Sequence, residues 1–260
     1  IASRVNNFVG GSEQISDAKR TVPLTAPATG EIIGEVPVTL GAELDAAVAV
    51  AEEAQKPWGA LTIKDRAQVL FAAKRLFEEN TGRIAEIVSR ENGKTLAEAG
   101  ASVARGIECI EFATSLPQIA AGEVLEVSRG IECKTVRFPL GVVASITPFN
   151  FPAMVPLWMA PMAMGMGNAV ILKPSEQTPL AAIEVAKLFL DAGAPPGIVS
   201  VVHGDRETVE AICDHPRIRA IGFVGSTAAA KAVYERGTAN GKRVRAMGGA
   251  KNHLVVMPDA

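Results

Sequence analysis

What the chain has little of narrows its class first. It holds three cysteines, Cys109, Cys133 and Cys213, which cannot all pair and show no C-x-x-C spacing. No disulfide framework or metal site is indicated, and a reducing cytoplasm is the expected setting. Charge excess is missing too: 26 Lys and Arg stand against 28 Asp and Glu, a net charge of -2. That removes any electrostatic reason to expect nucleic acid or an anionic membrane as partner. The longest apolar run, residues 149–166, is broken by Asn150 and three prolines, so it does not read as a membrane span. The first residues lack a basic-then-apolar signal pattern. The dinucleotide fingerprint G-x-G-x-x-G is also absent. What is present is a globular composition, 48% hydrophobic and 21% charged over 260 residues, enough to bury one large core or two modest ones.

Residues 1–41 are rich in Gly, Pro and Thr and read as an irregular arm with small strands near 7–9 and 32–36. A helical segment follows over residues 42–117. Its first helix carries Ala47, Val50, Ala51 and Ala54 at helical spacing, and Pro57 and Gly59 are expected to stop it. Thr62, with Asp65 three residues on, reads as the N-cap of a second helix. Thr81 opens a third that ends at Gly93, and a fourth spans 96–116. Two strands at 124–127 and 132–138 flank Arg129-Gly130 as a hairpin, within about 122–140. From 141 to 260 short apolar runs at 142–146, 169–172, 198–202, 220–224 and 254–257 alternate with helical stretches near 155–164, 180–190, 207–213 and 227–234. Non-alternating apolar strands separated by helices predict an α/β fold, a parallel sheet covered on both faces. Ligands of such sheets bind at the carboxyl ends of the strands.

Three strand ends carry distinctive residues. Thr147-Pro148-Phe149-Asn150-Phe151-Pro152 follows the first run, and Lys173-Pro174-Ser175-Glu176-Gln177-Thr178-Pro179 follows the second. Gly225-Ser226-Thr227 follows the fourth and opens a helix. In this order and spacing, PFNFP, KPSEQTP and GFVGST resemble the aldehyde dehydrogenase superfamily, over essentially the whole chain. The resemblance implies a Rossmann-type sheet that binds NAD without the usual glycine fingerprint, the helical segment packed on it, and the hairpin projecting away to join subunits. Residues 1–260 are then one NAD-binding domain, and the catalytic domain is expected to be absent.

The resemblance also assigns roles that suit the side chains. Lys173 and Glu176 meet the adenosine ribose, and a carboxylate there repels the extra phosphate of NADP. Gly225 and Ser226, at a helix N-terminus, suit a pyrophosphate. Phe149 lines the nicotinamide side, and Thr147, Gln177 and Gly248 complete the cofactor contacts. Asn150 is the oxyanion donor, an amide aimed where negative charge develops. Plain alternatives are a surface ion pair for Lys173 and Glu176, and simple N-capping for Ser226 or Thr227.

None of the three cysteines reads as the nucleophile. Cys109 and Cys213 read as core, and Cys133 lies in the hairpin. In the family the thiol comes beyond the region matching Gly248–Lys251, so it is expected outside this chain, which alone is expected to be inactive. Hydrolytic members carry a glutamate just before the paired glycines, where this sequence has Met247. Ala246–His253, AMGGAKNH, and Arg105-Gly106-Ile107-Glu108 resemble instead the methylmalonate-semialdehyde dehydrogenase branch, in which coenzyme A takes the acyl group. There Arg105 would hold the substrate carboxylate, unless it is a solvated helix charge. The expected activity is NAD-dependent oxidative decarboxylation of methylmalonate or malonate semialdehyde to propionyl- or acetyl-CoA, by a homodimer or homotetramer when full length. A hydrolytic aldehyde dehydrogenase and an inert NAD-binding module are the alternatives.

Overall fold

A computed structural model describes residues 3–260. Its strands are β1 (Ser3–Arg4), β2 (Asn7–Val9), β3 (Ser12–Gln14), β4 (Thr21–Thr25), β5 (Ile32–Pro37), β6 (Val124–Ser128), β7 (Ile131–Lys134), β8 (Val142–Ile146), β9 (Ala169–Lys173), β10 (Val199–Val201), β11 (Ile218–Val224) and β12 (Arg243–Met247). The helices are α1 (Gly41–Ala60), α2 (Ile63–Glu79), α3 (Thr81–Asn92), α4 (Leu96–Thr114), α5 (Leu116–Ile119), α6 (Met154–Gly165), α7 (Leu180–Asp191), α8 (Arg206–Asp214) and α9 (Thr227–Ala239).

The main sheet runs β12-β11-β8-β9-β10-β2-β3. Its five strands from β12 to β10 are parallel, and β2 joins β10 antiparallel through Val201 and Phe8. All five residues of β9 are buried, Lys173 included. Helices α6 and α7 cover β8, β9 and β10 on one face, with α2, α3 and α4 as a second layer behind them. Helix α1 packs on the same three strands from the other side. Right-handed crossovers put α8 and α9, which carry the chain across to β11 and β12, on that side too. The expected parallel α/β sheet with helices on both faces is present, and the β6–β7 hairpin is exposed along its whole length.

Several local expectations are corrected. Helix α1 continues through Pro57 to Ala60. The ring removes one N–H, but Trp58 beyond it is buried and its Nε1 donates to Met164 O at 2.9 Å, which holds the last turn. The hairpin's second strand stops at Lys134, short of Phe138. Residues 254–257 form no strand; the last parallel strand is β12, whose Arg-Val-Arg alternation suits a sheet edge and hid it from a search for apolar runs. Cys109 is half-buried and its neighbour Phe112 is 59% exposed, because that side of α4 turns outward; Cys213 is core, as expected.

The layers are stitched at the carboxyl end of α6. The N–H groups of Met166, Gly167 and Asn168 take Met162 O, Met164 O and Ala163 O, and side chains of α1 and α2 add further donors at this end. Trp58 takes Met164 O, Arg66 Nε donates to Gly165 O at 2.8 Å, and Gln55 Nε2 donates to Gly167 O at 2.9 Å. Arg66 Nη1 also reaches the last carbonyls of α1, at Trp58 O (3.3 Å), Gly59 O (3.4 Å) and Leu61 O. One buried guanidinium thus sits at the negative ends of two helices. Arg66→Met leaves buried carbonyls unpaired and should lower unfolding stability by about 3 kcal/mol. Arg66→Lys should lose less. Urea denaturation midpoints of the three proteins provide the measurement.

Candidate functional site

The strand order reverses beside β8. From β8 the chain moves outward through β9 to β10, then crosses back to β11 on the other side of β8. Successive loops therefore diverge at the carboxyl ends of β8 and β11 and open a crevice between them.

Thr147 continues β8, donating its N–H to Lys173 O at 3.1 Å, and is buried. Lys173 ends β9 with its side chain 4% exposed and its ammonium 3.6 Å from Glu176. Burial depresses the lysine pKa, while the Glu176 and Asp205 carboxylates pull it back up. The pair is therefore a buried cation with a carboxylate at the rim, not a fully solvated ion pair. Across the crevice Ser226 caps α9, its hydroxyl accepting from Ala229 N at 3.3 Å. This is the plain capping role, and it leaves the Thr227 and Ala228 amides without intrahelical acceptors. Gly225 donates to Met247 O at 3.1 Å, and Gly249 to Thr227 Oγ1 at 3.1 Å. A Cβ on Gly248 would lie 3.3 Å from Thr227 Cα, so a side chain there would crowd the helix start.

A groove of about 700 Å³ opens between α8 and α9 beside Ser226, walled by Val209, Cys213, Phe223, Ala229 and Val233. Sequence reasoning missed it; the signal was Ala228, Ala229 and Ala232, whose short side chains leave space. On the other side of β8, Phe149, Asn150 and Gln177 share a cleft of about 500 Å³ with Thr25, Asn92 and Lys94. Phe149 is 50% exposed and Asn150 is also exposed. Arg105 is not brought to the crevice: it lies on the outer side of α4, 72% exposed, with Nη1 held by both oxygens of Glu108 at 2.9 and 3.1 Å.

Two further groups escaped the sequence reading. Glu91 is buried and accepts from Leu180 N at 2.7 Å and Ala181 N at 3.0 Å, closing the N-terminus of α7; burial pushes its pKa up to about 8 and the two amides pull it down. His203 follows β10, and its Nε2 lies 3.0 Å from Asn6 O. A carbonyl only accepts, so Nε2 carries the proton, and Nδ1 is buried without a partner. A histidine directly after an apolar strand was the available signal.

Residues 14–260 match the aldehyde dehydrogenase family, and the chain belongs to it. Malonate-semialdehyde dehydrogenase 1 of Geobacillus kaustophilus (strain HTA426) is 48% identical over 257 residues, 98% of this chain and 53% of that protein. The human mitochondrial methylmalonate-semialdehyde/malonate-semialdehyde dehydrogenase [acylating] is 46% identical, across 98% of this chain and 48% of that one. A Sinorhizobium meliloti 1021 protein assigned as a methylmalonate-semialdehyde dehydrogenase and solved in complex with NAD superposes with a TM-score of 0.96 at 42% identity, covering 99% of this chain and 53% of that one. The chain spans about half the length of the curated relatives it matches. Among the described residues no helix is long and apolar enough to cross a membrane.

Burial pushes the His203 pKa down to about 4, and the nearby Lys173 charge adds to the effect. Unfolded, the imidazole takes a proton near pH 6.5. As pH falls from about 6.5 to 4, the unfolded chain gains a proton that the fold refuses, so stability is lost by up to about 3 kcal/mol. Glu91 slopes the other way, its raised pKa removing stability as pH rises from about 4.5 toward 8. Subtracting the profile of His203→Gln from that of the parent isolates the imidazole. Urea titrations between pH 4.5 and 7.5 should show a parent-minus-variant stability that rises with pH up to about 6.5 and then levels off.

Proposed function

We propose that the chain is the cofactor-binding part of an NAD-dependent aldehyde dehydrogenase. The full-length protein would convert methylmalonate or malonate semialdehyde to propionyl- or acetyl-CoA, with coenzyme A as co-substrate. What supports this is four parts suited to a dinucleotide, grouped at the carboxyl ends of the parallel strands, with the α8–α9 groove and the Phe149–Gln177 cleft on opposite sides of β8. The apolar groove of α8 and α9 matches a flat adenine. The buried Lys173 and the rim carboxylate of Glu176 match ribose hydroxyls. The free amides at the start of α9, with Gly225, Ser226 and Gly248 close by, match a pyrophosphate. Phe149 would line the nicotinamide side, with Thr147 and Gln177 as further cofactor contacts. NAD, when bound, supplies the hydride acceptor. The chain's part is to orient it and, through the Asn150 amide, to stabilise the oxyanion on the aldehyde carbon, typically by about 3 kcal/mol.

The thiol nucleophile would come from outside residues 1–260. Burial raises the pKa of Cys109 and pushes that of Cys213 up to about 11, so neither is poised as a thiolate, and Cys133 sits on the hairpin. Met247 at the end of β12 supplies no base for water, which favours acyl transfer to coenzyme A over hydrolysis. The branch assignment also draws on relatives named for these semialdehydes, the human one as acylating. The exposed Val124, Leu125, Val127 and Ile131 of the hairpin favour a homodimer or homotetramer, and the three unpaired cysteines suit the cytoplasm.

Cofactor choice tests the reading directly. Calorimetric titration of the chain should give NAD substantially tighter than NADP, and Glu176→Thr should narrow the gap; equal affinities in the parent would refute it. Substrate choice tests the branch. Arg105 would exchange its Glu108 partner for the substrate carboxylate, an interaction of about 1.5–3 kcal/mol. Arg105→Leu in the full-length enzyme should lower kcat/KM for malonate or methylmalonate semialdehyde at least about tenfold and spare propionaldehyde. Equal losses on both substrates would place the carboxylate clamp elsewhere.

A further inference from the structure

The turn between α3 and α4 delivers a cation to the loop that follows β8. Gly93 closes α3 in the left-handed region with φ 82°, and a Cβ there would stand 2.9 Å from Pro27 Cγ, so this sharp reversal requires glycine. Ser89 Oγ donates to Lys94 O at 2.7 Å, and a Thr95–Glu98 capping box anchors the start of α4. The turn is therefore held from both sides.

From it, two side chains grip successive carbonyls. Asn92 Nδ2 donates to Phe149 O at 2.9 Å. Lys94 Nζ donates to Asn150 O and, at 3.0 Å, to Asn92 Oδ1, and stands 4.6 Å from the centroid of the Phe151 ring. An ammonium has three N–H bonds, and this one has two acceptors and an aromatic face. Asn92 uses both ends of its amide, so its orientation is set as well. The Asn150 side chain is then the free end of a clamped segment.

We infer that Lys94, with Asn92, is a positioning residue that clamps the two peptide units flanking Asn150 and so aims the Asn150 amide and the Phe149 ring. The role of the aimed groups rests on the cofactor reading above. A reacting group displaced by about 1 Å can cost about a hundredfold in rate, so a rigid grip on these peptide units has a function beyond stability.

The test uses the 260-residue chain and two ligands. Lys94→Met should weaken NAD at least about tenfold in calorimetry and leave AMP, which lacks the nicotinamide half, within about twofold. Asn92→Ala removes the other arm, should show the same selective loss, and serves if the first variant misfolds. Equal losses for NAD and AMP, or no loss for either, would overturn the inference. If the parent binds neither ligand, the cofactor reading fails, and nuclear magnetic resonance still decides the clamp. The Asn150 side-chain amide signal should move and broaden in Lys94→Met, while that of Asn168, held by Ala163 O at 3.0 Å, stays in place. An unmoved Asn150 signal would reject the clamp.

Discussion

A parallel sheet buried on both faces cannot leave its strand ends to chance. Every residue of β9 is buried, so helices must cover it above and below, and right-handed crossovers decide which helix lies where. With α6 and α7 on one side and α8 and α9 on the other, the connections part beside β8. The crevice, the groove and the cluster of strand-end residues all follow from that reversal.

The same burial explains why the N-terminal third contributes so much to the site. Polar groups at the strand ends lose water and need protein partners. Asn6 and Asn7 bond the side chain and backbone of His203, Arg20 holds Asp205 at 2.7 Å, and Glu91 closes α7. Asn92 and Lys94 hold the turn after β8, and Arg66 with Trp58 holds the far end of α6. The helical layer acts as a scaffold of donors and acceptors for the sheet it covers.

Legibility followed the range of the interaction. The caps at Thr62 and Thr95 and the turn at Gly93 depend on residues three or four apart, and the first and last of these signals were read from spacing alone. The strand ends carrying Thr147, Lys173 and Gly225 were located because buried parallel strands are short apolar runs. Strand β12 escaped because an edge strand tolerates arginines, and helix α1 outran its proline because Trp58 is anchored by a carbonyl more than a hundred residues away.

Local chemistry in the sequence therefore determined the alternation of strands and helices, the family resemblance, and which residues stand at the strand ends: Lys173, Glu176, Asn150 and Ser226. It could not determine what those residues meet. Only the tertiary structure decided that Lys173 is buried, that the α8–α9 groove exists, that Arg105 faces outward against Glu108, and that Lys94 grips the Asn150 carbonyl. Desolvation, cavities and clamps arise where segments distant in sequence pack together, and periodicity along one segment carries no record of its partner.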